Sequence, residues 1–276
     1  MNEACSEPIG GEAAARLIEP LTELVIRAGE AILAVNRAAM KIDGKADGSP
    51  VTEADLAADA IIGEGLARIA PNIPALSEER VHLAKLPYRG SFFLVDPLDG
   101  TKEFVAGRNE FTVNLALVSD GRPLLGLVGA PALGLVWRGL VGRGAERLTL
   151  AGTAIKSVEP IHTRPCPPPG QPWTVAVSRS HGDARTEGFI ARRPNAVRAE
   201  LGSSLKFARV AEGAVDIYPR LGPTSEWDIA AGHAVVTAAG GKVTDSAGAE
   251  LHFGLGPTDF RVPEFIAWGD PSAATF

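Results

Sequence analysis

A chain of 276 residues, 45% hydrophobic and 22% charged, carries enough apolar material for a large core and is too apolar to be a disordered protein. Its 27 basic and 33 acidic residues leave a formal net charge of −6 without a dense Lys/Arg tract, which argues against duplex nucleic acid as a partner. No apolar run approaches the roughly 18 residues of a membrane-spanning helix, so no transmembrane segment is expected. The opening residues lack the basic-then-apolar pattern of an export signal. The two cysteines, Cys5 and Cys166, suit a reducing compartment better than a disulfide framework, so a cytoplasmic protein is expected.

In chain order, Leu17, Leu21, Leu24, Val25, Ala28, Ile32 and Val35 recur at helical spacing and predict an amphipathic helix over 11–39. Residues 45–50 read as a loop. A second helix is expected over 53–69, with Thr52 as N-cap and acids in its first turn. Strands follow at 73–76, 91–95, 111–118, 124–129 and 133–137 in an antiparallel pattern, with a hairpin turn at 120–123. Beyond about 141 the pattern weakens into strand and loop, ending in the proline-rich stretch 163–172, which suits neither regular helix nor central strand. Strands at 173–177, 196–201, 215–218 and 242–244 then alternate with helices at 183–192, 204–212 and 227–239. The fold class is therefore α/β: an α+β N-terminal lobe, 1–138, and an α/β C-terminal lobe, 139–276. The cleft between them is the expected place for a site.

Asp96-Pro97-Leu98-Asp99-Gly100-Thr101 follows the apolar run Phe92-Phe93-Leu94-Val95. Two acids held in one tight turn repel unless a cation separates them, and a hard ion such as Mg²⁺ prefers oxygen ligands. Taken alone, the motif reads equally well as a solvated Asp-Pro/Asp-Gly turn. Glu78 in Ser77-Glu78-Glu79 stands at another strand end, with a solvated turn as the bland alternative. Asp228 in Trp227-Asp228-Ile229-Ala230-Ala231-Gly232-His233 falls in the first turn of a helix, where capping alone would explain an acid. Asp47 and Asp55 flank Pro50-Val51-Thr52, as a loop acid and a first-turn acid. Ser178-Arg179-Ser180-His181, Gly202-Ser203-Ser204-Leu205-Lys206 and Tyr218-Pro219-Arg220 include strand-to-helix junctions, whose free N–H groups favour phosphate.

The order and spacing of 47–55, 77–79, 96–104 and 227–234 resemble the inositol monophosphatase superfamily, over about residues 45–245. Asp-Gly-Thr-Lys-Glu-Phe (99–104) and the second-lobe motifs are similar to its bacterial 3′(2′),5′-bisphosphate nucleotidase branch. The resemblance implies a fructose-1,6-bisphosphatase-like layered fold and a lithium-sensitive enzyme using two or three Mg²⁺. It implies a nucleotide bisphosphate substrate, adenosine 3′,5′-bisphosphate, which arises as a by-product of sulfate activation. Metal ligands would be Glu78, Asp96, the Leu98 carbonyl, Asp99 and Asp228, with Asp47 near a further ion. Asp55 and Thr101 would position the attacking water, and Gly100 with Thr101 would meet the scissile phosphate. His181, Ser203, Lys206 and Arg220 would hold the nucleotide. An inositol monophosphatase or sugar bisphosphatase is the alternative within this chemistry, and a non-catalytic nucleotide sensor and a structural subunit are the alternatives outside it. Oligomeric state, base preference and peripheral attachment to the cytoplasmic face of the inner membrane stay open in the sequence.

Overall fold

The computed structural model describes residues 6–44, 50–83, 88–179, 182–193, 195–255 and 260–274. The expected first helix is divided into α1, Gly11–Ala15, and α2, Ile18–Ala34. Pro20 explains the break, because it has no N–H to give the Arg16 carbonyl and is tolerated only in a first turn. The helix stops short of 39 because Asn36 Oδ1 accepts the Ala38 N–H at 3.1 Å, a local turn that competes with helix. Strands β1, Ile42–Gly44, and β2, Pro50–Thr52, pair antiparallel ahead of α3, Glu53–Ile69.

The first large sheet contains β3, Ala75–Ser77; β4, Ser91–Asp99; and, after the short helix α4, Thr101–Val105, β5, Thr112–Ser119, and β6, Arg122–Ala130. It continues through β7, Leu135–Leu140, β8, Gly144–Ala151, and β9, Ala154–Ile161. The seven strands lie in sequence order. Only β3–β4 is parallel; every later pair is antiparallel, and the β5–β6 turn has Asp120 and Gly121 at φ 49° and 72°, a primed hairpin geometry. Position 138 falls inside β7, and pairing runs on to Ile161, so the weakly patterned residues after 141 supply two further strands of this sheet.

The second lobe comprises β10, Thr174–Ser178; α5, Ala184–Ala191; β11, Val197–Leu201; α6, Leu205–Ala211; and β12, Ile217–Arg220. After these come β13, Thr224–Ser225; α7, Glu226–Ala238; β14, Lys242–Thr244; β15, Arg261–Val262; and β16, Phe265–Trp268. Its five-stranded sheet has the order β11-β10-β12-β16-β14, parallel on the β11 side and antiparallel on the β14 side.

Burial resolves these elements into five layers. Leu21, Val25 and Ile32 of α2 and Ala58 and Ile62 of α3 pack on Phe93, Val95, Val113 and Leu115, one face of the first sheet. The opposite face, Leu94, Ala116, Val128 and Trp137, meets α6 and α7, which in turn cover Tyr218, Val243 and Phe265 of the second sheet. Phe189 and Ile190 of α5 close the far side against Val175, Ile217 and Trp268. Both faces of the first sheet are thus covered, so its central strands are apolar at nearly every position rather than at alternate ones. Each such fully buried side chain contributes about 1.5–3 kcal/mol. Helix α7 lies close enough to the sheet that a Cβ on Gly126 would stand 2.2 Å from the Ala231 carbonyl oxygen, so its small-residue run Ala230-Ala231-Gly232 is a packing requirement.

Candidate active site

The parallel register of β3 and β4 pairs Ser77 with Val95, so Glu78, just past the end of β3, comes up beside Asp96, which is still within β4. The second lobe brings up Asp228 at the third position of α7. There its carboxylate accepts from the Thr224 hydroxyl and from Ser225 N (3.1 Å), completing a capping box. Glu78, Asp96 and Asp228 each present a carboxylate oxygen within 4.8 Å of the others. The capping role that accounts for Asp228 in sequence and its place in this triplet are both real, because one oxygen can cap while the other faces the cleft.

The Asp-Pro-Leu-Asp motif belongs to the strand itself: β4 runs through Asp99, with its register to β5 shifting between Asp96 and Asp99. Pro97 sits in that irregular stretch, where a missing N–H breaks no regular ladder bond. Asp96 is 2% exposed, and its Oδ1 accepts Leu98 N at 3.0 Å. Gly100 ends the strand at φ 91°, and a Cβ there would approach Glu110 O and Ser203 Cβ at 3.3 Å, so glycine satisfies both the backbone and the space.

Thr101, the first residue of α4, donates to Asp55 Oδ1 (3.0 Å) and lies 3.2 Å from the Leu98 carbonyl oxygen. Asp55, 1% exposed, is fixed by its other oxygen, which accepts Thr52 N at 2.8 Å and Thr52 Oγ1 at 2.6 Å. The capping box of α3 therefore aims one carboxylate oxygen at Thr101.

Asp99 stands beside the acidic triplet with Oδ2 turned to Ser204 Oγ (3.0 Å), Asn114 Nδ2 (3.4 Å) and Thr112 Oγ1 (3.5 Å). Burial first, then the neighbouring Asp228 charge, pushes its carboxyl up to about 6, against the opposing pull of Lys206, Ser204 and Arg220. At Asp99, burial and the neighbouring acid therefore outweigh the basic groups around it. An all-carboxylate, all-oxygen donor set of this kind fits a hard divalent cation and is unsuited to soft metals.

Lys206 is 3% exposed; its Nζ donates to Ser203 O (2.5 Å) and Leu201 O (3.4 Å), and burial pushes it down to about 8. It braces the Ser203 turn from beneath while lining the pocket. Ser203 has φ 44°, and its buried Oγ has no partner among the described residues. Arg220 donates to Pro223 O at 3.1 Å; burial pulls its guanidinium down, and Tyr218, Asp228 and Asp99 outweigh that and raise it. Glu78, Asp99, Gly100, Thr101, Ser203, Lys206, Arg220 and Asp228 together line one cavity of about 200 Å³, with Lys102 and Pro50 also in its wall.

The structure thus assembles every described sequence candidate around one cleft; Asp47 and His181 lie outside the described residues, as does Cys5. It also adds residues the sequence reading passed over. Asn114 is fully buried on β5 and donates to Ser204 Oγ at 2.9 Å, linking the lobes. An amide in the otherwise apolar run Val113–Val118 was the available signal. Glu110 accepts Gly202 N (2.8 Å) and Arg179 Nη2 (3.1 Å), a second polar link, and nothing local in the sequence marks it.

A layered α/β fold with an acidic triplet that could hold a cation, a Thr–Asp pair beside it and basic groups opposite defines a metal-dependent phosphatase of the phosphoric monoester class. The inositol monophosphatase family matches residues 14–272, and the chain belongs to that family. The 3′(2′),5′-bisphosphate nucleotidase CysQ of Shigella flexneri is 40% identical over 246 residues, covering 86% of this chain and 94% of that protein. The CysQ nucleotidase of Salmonella typhimurium is 41% identical with the same coverage. The crystal structure of CysQ from Bacteroides thetaiotaomicron superposes with a TM-score of 0.72 at 30% identity, covering 91% of this chain and 96% of that one.

Proposed function

We propose that the chain is a Mg²⁺-dependent 3′(2′),5′-bisphosphate nucleotidase that converts adenosine 3′,5′-bisphosphate and water to AMP and phosphate. The observation that carries the reading is the triplet Glu78, Asp96 and Asp228, converging beside the Thr101–Asp55 pair in a pocket whose other wall is basic. The choice of a nucleotide rests on the nucleotidase relatives, which match nearly their whole length.

When bound, Mg²⁺ held by Glu78, Asp96, Asp99, Asp228 and the Leu98 carbonyl supplies Lewis acidity to the scissile phosphate and its attacking water. The chain's own groups do the positioning. Thr101 Oγ1 donates a hydrogen bond to Asp55 Oδ1 and so turns its lone pairs outward, where they accept a hydrogen bond from the attacking water. As the water attacks phosphorus, its proton passes through that hydroxyl to Asp55, whose second oxygen stays fixed by Thr52. Displacement is in line: the P–O bond to the ribose 3′-oxygen breaks opposite the water, that oxygen takes a proton from solvent while Asp55 releases to solvent the one it received, and no phosphoenzyme is needed. Ser203 Oγ, held in place by a buried turn, is available as a donor to substrate, and Lys206 and Arg220 offset its charge.

A phosphate-release panel across adenosine 3′,5′-bisphosphate, inositol 1-phosphate and fructose 1,6-bisphosphate, with Mg²⁺ and with or without Li⁺, tests this. The nucleotide should be turned over fastest, Li⁺ should inhibit, and Asp96→Asn should abolish release. Preference for inositol 1-phosphate would transfer the reading to the inositol branch, and near-normal turnover by Asp96→Asn would overturn the metal assignment.

A further inference from the structure

We infer that Asp59 is a positioning residue for the metal site, clamping Glu78 from both sides in the chain; this rests on Glu78 being a metal ligand, as proposed above. Asp59 lies four residues after Asp55 and so points from the same face of α3. It is 8% exposed. Its Oδ1 accepts Ser77 Oγ at 2.6 Å and Arg80 Nη2 at 3.2 Å, while Arg80 Nε makes an ion-pair contact with Oδ2 at 3.1 Å. Ser77, fully buried, immediately precedes Glu78, and Arg80 follows it by two residues. The next position on the same stripe of α3 is Gly63, where a Cβ would stand 2.8 Å from Arg80 Nη2. Helix α3 thus offers a carboxylate for Thr101, a carboxylate for the Glu78 turn and a bare surface on which the guanidinium lies.

Glu78 needs such a restraint for two reasons. Its strand, β3, has three residues and lies at the edge of the sheet, so Glu78 enters a 3₁₀ turn with little ladder to hold it. Its carboxylate also faces Asp96 and Asp228 within 4.8 Å, and before metal binds, that repulsion drives it outward. Asp59 opposes this without touching the metal: it fixes the residue before Glu78 through a short buried bond and the residue beyond it through an ion pair. Groups that orient metal ligands in this way influence affinity by about 10- to 100-fold when removed.

The test is calorimetric titration of Mn²⁺ into metal-free full-length protein, for the native chain, Asp59→Ala, Ser77→Ala and the double variant, alongside KM at saturating metal. Asp59→Ala should weaken metal binding at least tenfold and Ser77→Ala by a smaller factor. The double variant should be no weaker than Asp59→Ala alone, and KM should stay within twofold. Unchanged metal affinity in the single variants, with only the melting temperature lowered, would overturn the inference and leave a purely structural clamp. Should Asp59→Ala fail to fold, Ser77→Ala decides the matter by itself. Because the titration contains no substrate, weakened metal binding in the variants together with no turnover of the nucleotide by the native chain at saturating metal would count against the proposed function and not against the clamp.

Discussion

Replacing Asp99 by asparagine should make the metal-free protein more stable than the native chain at pH 8, with the advantage vanishing toward pH 4. Burial and the Asp228 charge raise the Asp99 carboxyl from 3.8 to about 6. A carboxyl raised on folding stabilises the native state when protonated. That contribution is complete below about pH 4 and is lost as the pH rises through about 6. A shift of this size corresponds to at most about 3 kcal/mol. The value is reduced because Asp99 borders an open pocket, and because it is the strongest group keeping Lys206 charged against burial. Asparagine retains an oxygen for the hydroxyls of Ser204 and Thr112 and the amide of Asn114. A net gain of about 1–2 kcal/mol is therefore expected at pH 8, which for a chain of this size is roughly 2–8 °C in melting temperature. The assay is thermal unfolding with a chelator between pH 4.5 and 8, repeated with saturating Mg²⁺, which should reverse the order because the lost charge then matters for binding. A stability difference that does not change with pH, or an asparagine variant less stable at pH 8 than at pH 5 relative to the native chain, would refute the argument.

Thr101→Val should lower kcat at saturating metal by about 10²–10⁴ through loss of the proton path to Asp55, with unfolding free energy changed by only about 1 kcal/mol; Thr101→Ser should retain most activity. Gly126→Ala should destabilise the protein by about 1–3 kcal/mol or more through overpacking, since the Ala231 carbonyl that its Cβ would meet is backbone and cannot turn aside. An unchanged melting temperature would show that α7 can move off the sheet.

Elements with strong local periodicity were legible in the sequence because the physics that forms them is local. Helix α3 begins where Thr52 and Asp55 can cap it, and the β5–β6 hairpin turns where Asp120 and Gly121 accept positive φ. The last two strands of the first sheet, β8 and β9, were not legible. Strand β9 is exposed along most of its length, so it carries no apolar alternation to announce it. Strand β4 was expected to end at Val95 because Asp96–Thr101 reads as a tight turn, yet the strand continues to Asp99 through a register shift between Asp96 and Asp99.

The candidate site divides along the same line. The sequence by itself determined that Asp55 and Asp228 fall in the first turns of helices and that Glu78 follows a strand, because a cap or a strand end is set by the few residues around it. Only the tertiary structure decided that Glu78, Asp96 and Asp228, 150 residues apart from first to last, point at one another. That required a parallel β3–β4 register and the packing of α7 against the sheet. It also gave Asn114, Glu110 and Asp59 their partners, which no local pattern in the chain announces. Lys206, read from the sequence as a substrate cation, lines the cleft while the carbonyls of Leu201 and Ser203 fix its ammonium in place. Charge can be counted along a chain, but which charges are already satisfied depends on what folding places beside them.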